Sequence, residues 1–237
     1  MQLNRQPINR TCPEPEIFEA LLSLDNQHIL ELGCGDATLT RLIAGTGSGR
    51  QVTAAEVDTI AHKKNLKAAD LPNVTFLLAG SEDVPLENES VDTAFMFKSL
   101  HHVPVERMDD ALQEIHRVLK PGGLAYISEP IFDGEFNEIL RLFHNEEGVR
   151  QAAFDALTKA VATGLFVLED EIFFNTPVVF ESFDQYVARV IGATHTDHRL
   201  SDELMSEVEQ QFNLAFAGNN GKFHVPIRVD LLRKQGS

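Results

Sequence analysis

Between His28 and about Pro130 the chain alternates short apolar runs with stretches of helical spacing, and no other feature restricts the fold as much. "HILEL" reads as a strand, and "TLTRLIA" after it has helical spacing. "QVTAAE" (51–56) and "NVTFLL" (73–78) are the next strands, separated by the helical "TIAHKKNLKAA". "VDTAFMF" (91–97) precedes "ERMDDALQEIHRVL", where Met108, Leu112, Ile115, Val118 and Leu119 share one helix face. "KPGG" supplies the stop signal, and "LAYISE" (124–129) is a fifth strand. Strands alternating with helices pair in parallel, with helices on both faces. The expected fold is α/β, a doubly wound, mostly parallel, seven-stranded sheet.

The rhythm changes after Pro130. Residues 135–163 look helical, 171–181 extended, and 183–191 and 200–216 helical again. "KFHVPIRVDLL" (222–232) alternates strictly, with Phe223, Val225, Ile227, Val229 and Leu231 on one side. Pro226 within it predicts limited pairing on one side, or a bulge. The organisation expected is an N-terminal arm and helix (1–27), a cofactor-binding core (28–130), a helical lid with one strand on the substrate side (131–221), and a last strand completing the sheet (222–237). Insertions at the carboxyl edge of such sheets commonly wall a pocket.

Composition narrows the function. A net charge of −16 with no dense Lys/Arg cluster disfavours nucleic acid, the nearest basic run being "HKKNLK" at 62–67. No apolar stretch is long enough for a bilayer span, and the polar "MQLNRQPINRTCPEPE" lacks a signal-peptide core. A cytoplasmic protein acting on small molecules is expected. The two cysteines, Cys12 and Cys34, support neither a disulfide framework nor a cysteine zinc site. The oligomeric state stays open, a homodimer among the options.

The chemistry concentrates in "HILELGCGDATLT" (28–40). A dinucleotide fingerprint asks for G-x-G-x-x-G/A, and the last position here is Thr38. What fits is acid-x-Gly-x-Gly-x-small: Glu31, Gly33, Gly35, Ala37. An acid beside a pyrophosphate is awkward, whereas beside an ammonium or sulfonium it is well placed. That favours S-adenosylmethionine over a dinucleotide. Glu56 ends the second strand, where a carboxylate can accept both ribose hydroxyls; Asp58 is a weaker partner.

"ILELGCGDATLT", "VTAAEVD", "VTFLLAGSEDVPLENESVDTAFMFKSLHHV" and "ALQEIHRVLKPGGLAYISEP" together resemble the class I S-adenosylmethionine-dependent methyltransferases of the small-molecule, type 11-like group. The resemblance implies the Rossmann-like methyltransferase fold over about 28–130. It also implies that Glu31, Gly33 and Gly35, with the Cys34 backbone, line the methionine end. Glu56 would hold the ribose and Val57 pack on the adenine. An acid near the adenine amino group falls, by counting back from Val84-Pro85, at Gly80. The chain departs from the family there, leaving Ser81 and Glu82, by backbone or by the Glu82 carboxylate, as the adenine contacts. Ala37 replaces a family glycine. Lys98 and Ser99 stand where the family meets cofactor and substrate, and a lysine near a sulfonium suggests that its side chain points towards an anionic substrate.

A protonated acceptor needs a general base. His101 and His102 in "SLHHVP" follow the fourth strand at the ligand-binding edge, with His102 favoured by the resemblance, and Glu129 ends the fifth strand on the same edge. "THTDH" (194–198) with His224 is a thin metal candidate, and no metal site is expected. "GTGSG" (45–49) lacks a phosphate-loop lysine and is a turn. Phe166, Phe173, Phe174, Phe180 and Phe183 suit a core better than a pocket wall. The expected activity is methyl transfer to an oxygen or nitrogen of a small molecule. The alternatives are an NAD-dependent oxidoreductase and a non-catalytic S-adenosylmethionine-binding subunit.

Overall fold

The apolar runs between His28 and Phe97 become four parallel strands in the computed structural model, which describes residues 1–67, 71–192 and 199–236. They are β1 (His28–Leu32), β2 (Gln51–Glu56), β3 (Val74–Leu78) and β4 (Val91–Phe97). β5 (Leu119–Pro130), β6 (Val167–Val179) and β7 (Lys222–Arg233) complete a seven-stranded sheet in the order β3-β2-β1-β4-β5-β7-β6. Only β7 runs antiparallel to its neighbours. The order reverses between β1 and β4, so the chain leaves these two strands in opposite directions and opens a crevice at their carboxyl ends.

The helices α1 (Pro15–Leu21), α2 (Thr38–Gly45), α3 (Thr59–Asn65) and α4 (Met108–Val118) belong to the amino-terminal half. The α4 face predicted from spacing is buried at Met108, Leu112, Ile115 and Val118. It packs with Leu30, Leu32, Met96 and Ile127 on one side of the sheet. The opposite side carries Phe18 of α1, edge-on to Phe95 at 5.5 Å, with Phe97, Tyr126 and Phe174. Burial of one such aromatic side chain is worth about 2–3 kcal/mol, so α1 is anchored to β4 by Phe18.

The second half departs from the predicted boundaries in three places. The helical stretch 135–163 is two helices, α5 (Glu135–Leu140) and α6 (Glu147–Ala162). Asn145 Oδ1 accepts from the Glu147 backbone N–H at 3.0 Å, an Asx turn that breaks the helix and restarts it. β5 begins at Leu119 rather than at Leu124, because Pro121-Gly122-Gly123 loops out between the Val91↔Leu119 and Thr93↔Leu124 pairs. The helix over 183–191 is a short α7 (Phe183–Tyr186) running into a π-helical turn at Val187–Ile191. α8 (Asp202–Asn219) follows, and "THTDH" (194–198) lies outside the described residues.

The Pro226 expectation agrees with the ladder. β7 pairs with β5 from Arg233 to Ile227 and stops there, while its pairing with β6 continues to Lys222. The missing N–H therefore falls where β5 no longer needs one. Phe166, Phe174 and Phe180 are buried core, and Phe183 packs on the cluster formed by Phe180, Tyr186, Phe212 and Phe223 within the insertion. Both cysteines are buried and free.

Candidate active site

The bend after β1 is built from left-handed backbone. Gly33, Gly35 and Ala37 have φ of +73°, +54° and +61°. A Cβ on Gly33 would lie 2.6 Å from Ser99 Cβ, so only glycine lets β1 and the end of β4 approach here. Nothing lies within 4 Å of the position a Cβ would take on Gly35, which faces open space. Ser99 Oγ donates to the Leu32 carbonyl at 2.9 Å and closes the corner. Ala37 pays the Cβ penalty of this conformation.

Glu31 points from β1 beneath the bend and is 2% exposed. Its Oε2 accepts from Thr40 Oγ at 2.6 Å. Burial pushes its carboxyl up to about 7; the Thr40 bond works against this, and Asp36 and Glu14 add to it. Burial also lifts the Cys34 thiol to about 12, so it stays a neutral part of the wall. A cavity of about 480 Å³ opens above these groups, and among its lining residues are Glu31, Gly33, Cys34, Gly35, Phe97 and Lys98.

Its remaining wall was invisible in the sequence. The N-terminal arm runs along β6, Cys12 N–H donating to the Asn175 carbonyl at 3.1 Å, and delivers Glu14 into the cavity. Glu14 is 4% exposed, and one of its oxygens meets Lys98 Nζ at 2.5 Å. Its other oxygen, Oε1, is buried without a partner among the described residues. Lys98 has φ +54° and turns to this carboxylate. Two carboxylates, Glu31 and the Lys98-paired Glu14, line one cavity, a lining that favours an ammonium or sulfonium over a phosphate.

At the next strand end Glu56 is buried, its Oε2 accepting from Gly35 N–H at 2.7 Å and its Oε1 from Asp58 N–H at 2.8 Å. One lone pair on each oxygen stays free for a diol. Asp58 instead caps α3, accepting from Ile60 N–H at 2.7 Å. Val57 is 66% exposed, an apolar side chain ready to be covered. At Gly80 the Glu82 side chain folds back: a Cβ on Gly80 would lie 2.4 Å from Glu82 Oε2. Glu82 thus brings a carboxylate to the place a side chain at 80 would occupy. Ser81 is buried beside it.

The histidines form a separate group beyond β4. His101 and His102 sit in a 3-10 turn (Leu100–His102), with ring centroids 4.1 Å apart. His101 is buried and His102 exposed. Glu129, from the end of β5, accepts from Leu100 N–H at 2.9 Å with Oε1 and holds His101 Nδ1 with Oε2. His101 Nε2 faces Glu146 Oε1 across 3.7 Å. Glu146 at the start of α6 is another residue the sequence did not signal. Arg150 and His101 hold its carboxyl below the usual range despite burial.

The β3-β2-β1-β4-β5-β7-β6 sheet has the architecture of the Rossmann-like methyltransferase fold. Residues 30–127 match the family model described as a methyltransferase domain. An uncharacterized methyltransferase of Mycobacterium tuberculosis is 33% identical over 109 residues, 46% of this chain and 42% of the relative. An O-methyltransferase of Aspergillus nomiae is 34% identical over 140 residues, 54% and 59% of the two chains. The chain thus spans about half the length of the curated relatives it matches. The YcgJ protein of Bacillus subtilis superposes with TM-score 0.67 at 17% identity, covering 94% of this chain and 98% of the other. A SAM-dependent methyltransferase of Methanosarcina mazei gives 0.60 at 16% identity, covering 95% and 100%.

Proposed function

We propose that this protein transfers the methyl group of S-adenosylmethionine to an oxygen or nitrogen of a small cytoplasmic molecule. The observation that carries the reading is that Glu31 and Glu14 line one cavity beside the glycine bend. Such a place receives positive charge. When bound, the cofactor supplies an activated methyl group on a sulfonium whose departing sulfide is neutral.

The residues of the chain then bind, orient and exclude water. Glu31, Gly33, Cys34 and Gly35 line the methionine end, with Lys98 beside them in its ion pair with Glu14. Glu56 holds the ribose hydroxyls, and Val57 covers the adenine. Gly80, Ser81 and Glu82 meet the adenine edge, the Glu82 carboxylate accepting from its amino group. Alignment of an acceptor against the methyl group accounts for roughly 7–11 kcal/mol of barrier reduction in well-oriented systems. The acceptor proton passes to His102, the exposed imidazole of the pair. His101 and Glu129 are both committed to hydrogen bonds and act as positioning residues behind it. The name of the Aspergillus relative supports oxygen as acceptor atom.

Titration calorimetry tests the reading. Binding of S-adenosylmethionine and S-adenosylhomocysteine without measurable binding of NAD supports it. The opposite pattern favours an oxidoreductase, and cofactor binding without transfer to a broad acceptor panel favours a non-catalytic subunit.

A further inference from the structure

We propose that His101, His102 and Glu146 form a binding site for one divalent transition-metal ion of the zinc type. Each offers one ligand atom, and the three atoms lie within 4.8 Å of one another. Tetrahedral zinc with bonds of roughly 2.0–2.2 Å holds its ligand atoms about 3.3–3.5 Å apart, so small side-chain rotations close the set. Two imidazoles and a carboxylate leave a coordination position open and suit zinc better than magnesium or calcium, which prefer oxygen.

The surrounding groups are arranged as around a metal centre. Glu129 takes the Nδ1 side of His101, which turns Nε2 towards Glu146. A carboxylate behind a ligating histidine fixes its tautomer and raises its basicity. Glu129 is itself fixed by Leu100 N–H. Arg150 holds Oε2 of Glu146, leaving Oε1 on the side facing His101. His144 Nε2 stands 2.9 Å from that same Oε1 and steadies it. His102 is exposed and gives the ion its entry path. The competing account is a His101 ring held between Glu129 and Glu146, with no ion.

The sequence hid this cluster, since Glu146 lies on a turn of the insertion far along the chain from the histidine pair. The ion joins the end of β4 to the α5–α6 connection. It also takes the His102 lone pair, so zinc slows turnover; that consequence alone rests on the methyltransferase reading.

The test is zinc titration of the full chain stripped with a chelator, followed by calorimetry and by the absorption spectrum of the cobalt form. One ion per chain is expected. His102→Ala, at an exposed position that leaves the fold intact, and Glu146→Gln should each weaken binding at least tenfold, and Glu129→Gln roughly 10–100-fold. His28→Ala, at the exposed start of β1, should change nothing. Absence of saturable zinc binding overturns the inference. So does affinity that survives both cluster variants and disappears on replacing His195 and His198. A chain that binds S-adenosylmethionine but no zinc refutes only this inference, and one that binds zinc but no cofactor refutes only the proposed function.

Discussion

The Glu56 carboxylate accepts a hydrogen bond from the Gly35 backbone N–H at 2.7 Å, tying the end of β2 to the bend after β1. One side chain thereby shapes the glycine bend and faces the place proposed for the ribose. Glu56→Ala should weaken S-adenosylhomocysteine binding at least tenfold, charge-assisted hydrogen bonds being worth about 1.5–3 kcal/mol each. Calorimetry reads the effect. An unchanged dissociation constant removes Glu56 from the site.

Glu31 gives a pH dependence. Its carboxyl is raised from 4.5 to about 7 by burial, so the fold favours its protonated form. Its contribution to stability is fully present below about pH 4.5, falls as pH rises through 7 and is then lost, roughly 3 kcal/mol in all. A bound cation reverses the preference and expels the proton. Cofactor binding at pH 6 should therefore release close to one proton, seen as a calorimetric enthalpy that varies with buffer ionisation heat. Glu31→Gln should abolish that variation. A wild-type enthalpy independent of buffer contradicts the assignment.

Ala37 occupies left-handed backbone at φ +61°. Ala37→Gly removes that strain and should raise stability by up to about 1 kcal/mol, measured by urea denaturation. A clear loss of stability would show that the alanine methyl, buried at 0% exposure, contributes more by packing than its backbone costs.

His102→Ala should lower turnover far more than it changes the cofactor dissociation constant, because the residue is proposed to take the acceptor proton. Comparing kcat with the calorimetric constant separates the roles. A loss confined to affinity makes His102 a binding residue.

How much of this the sequence shows depends on chain distance. Glu31, Gly33, Gly35 and Ala37 fall within one strand-turn-helix, so spacing alone exposes them, and Glu56 is marked by ending the next strand. The helix face of Met108, Leu112, Ile115 and Val118 is equally local. Glu14 is different. It enters the cavity because the arm docks along β6, and nothing near "PEPE" encodes its pairing with Lys98 84 positions away. Glu146 reaches His101 only through the fold of the insertion, whose break at Asn145 depends on one side-chain hydrogen bond. The glycine at position 80 is visible in the sequence, while the Glu82 carboxylate folded back against it needs three dimensions.

The central claim is that the glycine bend receives a positively charged sulfur nucleoside. Calorimetric titration of the unmodified protein with S-adenosylmethionine, set beside NAD under the same conditions, tests it most directly. Saturable one-to-one binding of the sulfonium compound with no heat from NAD is the predicted result. Binding of NAD with none of S-adenosylmethionine or S-adenosylhomocysteine would contradict it.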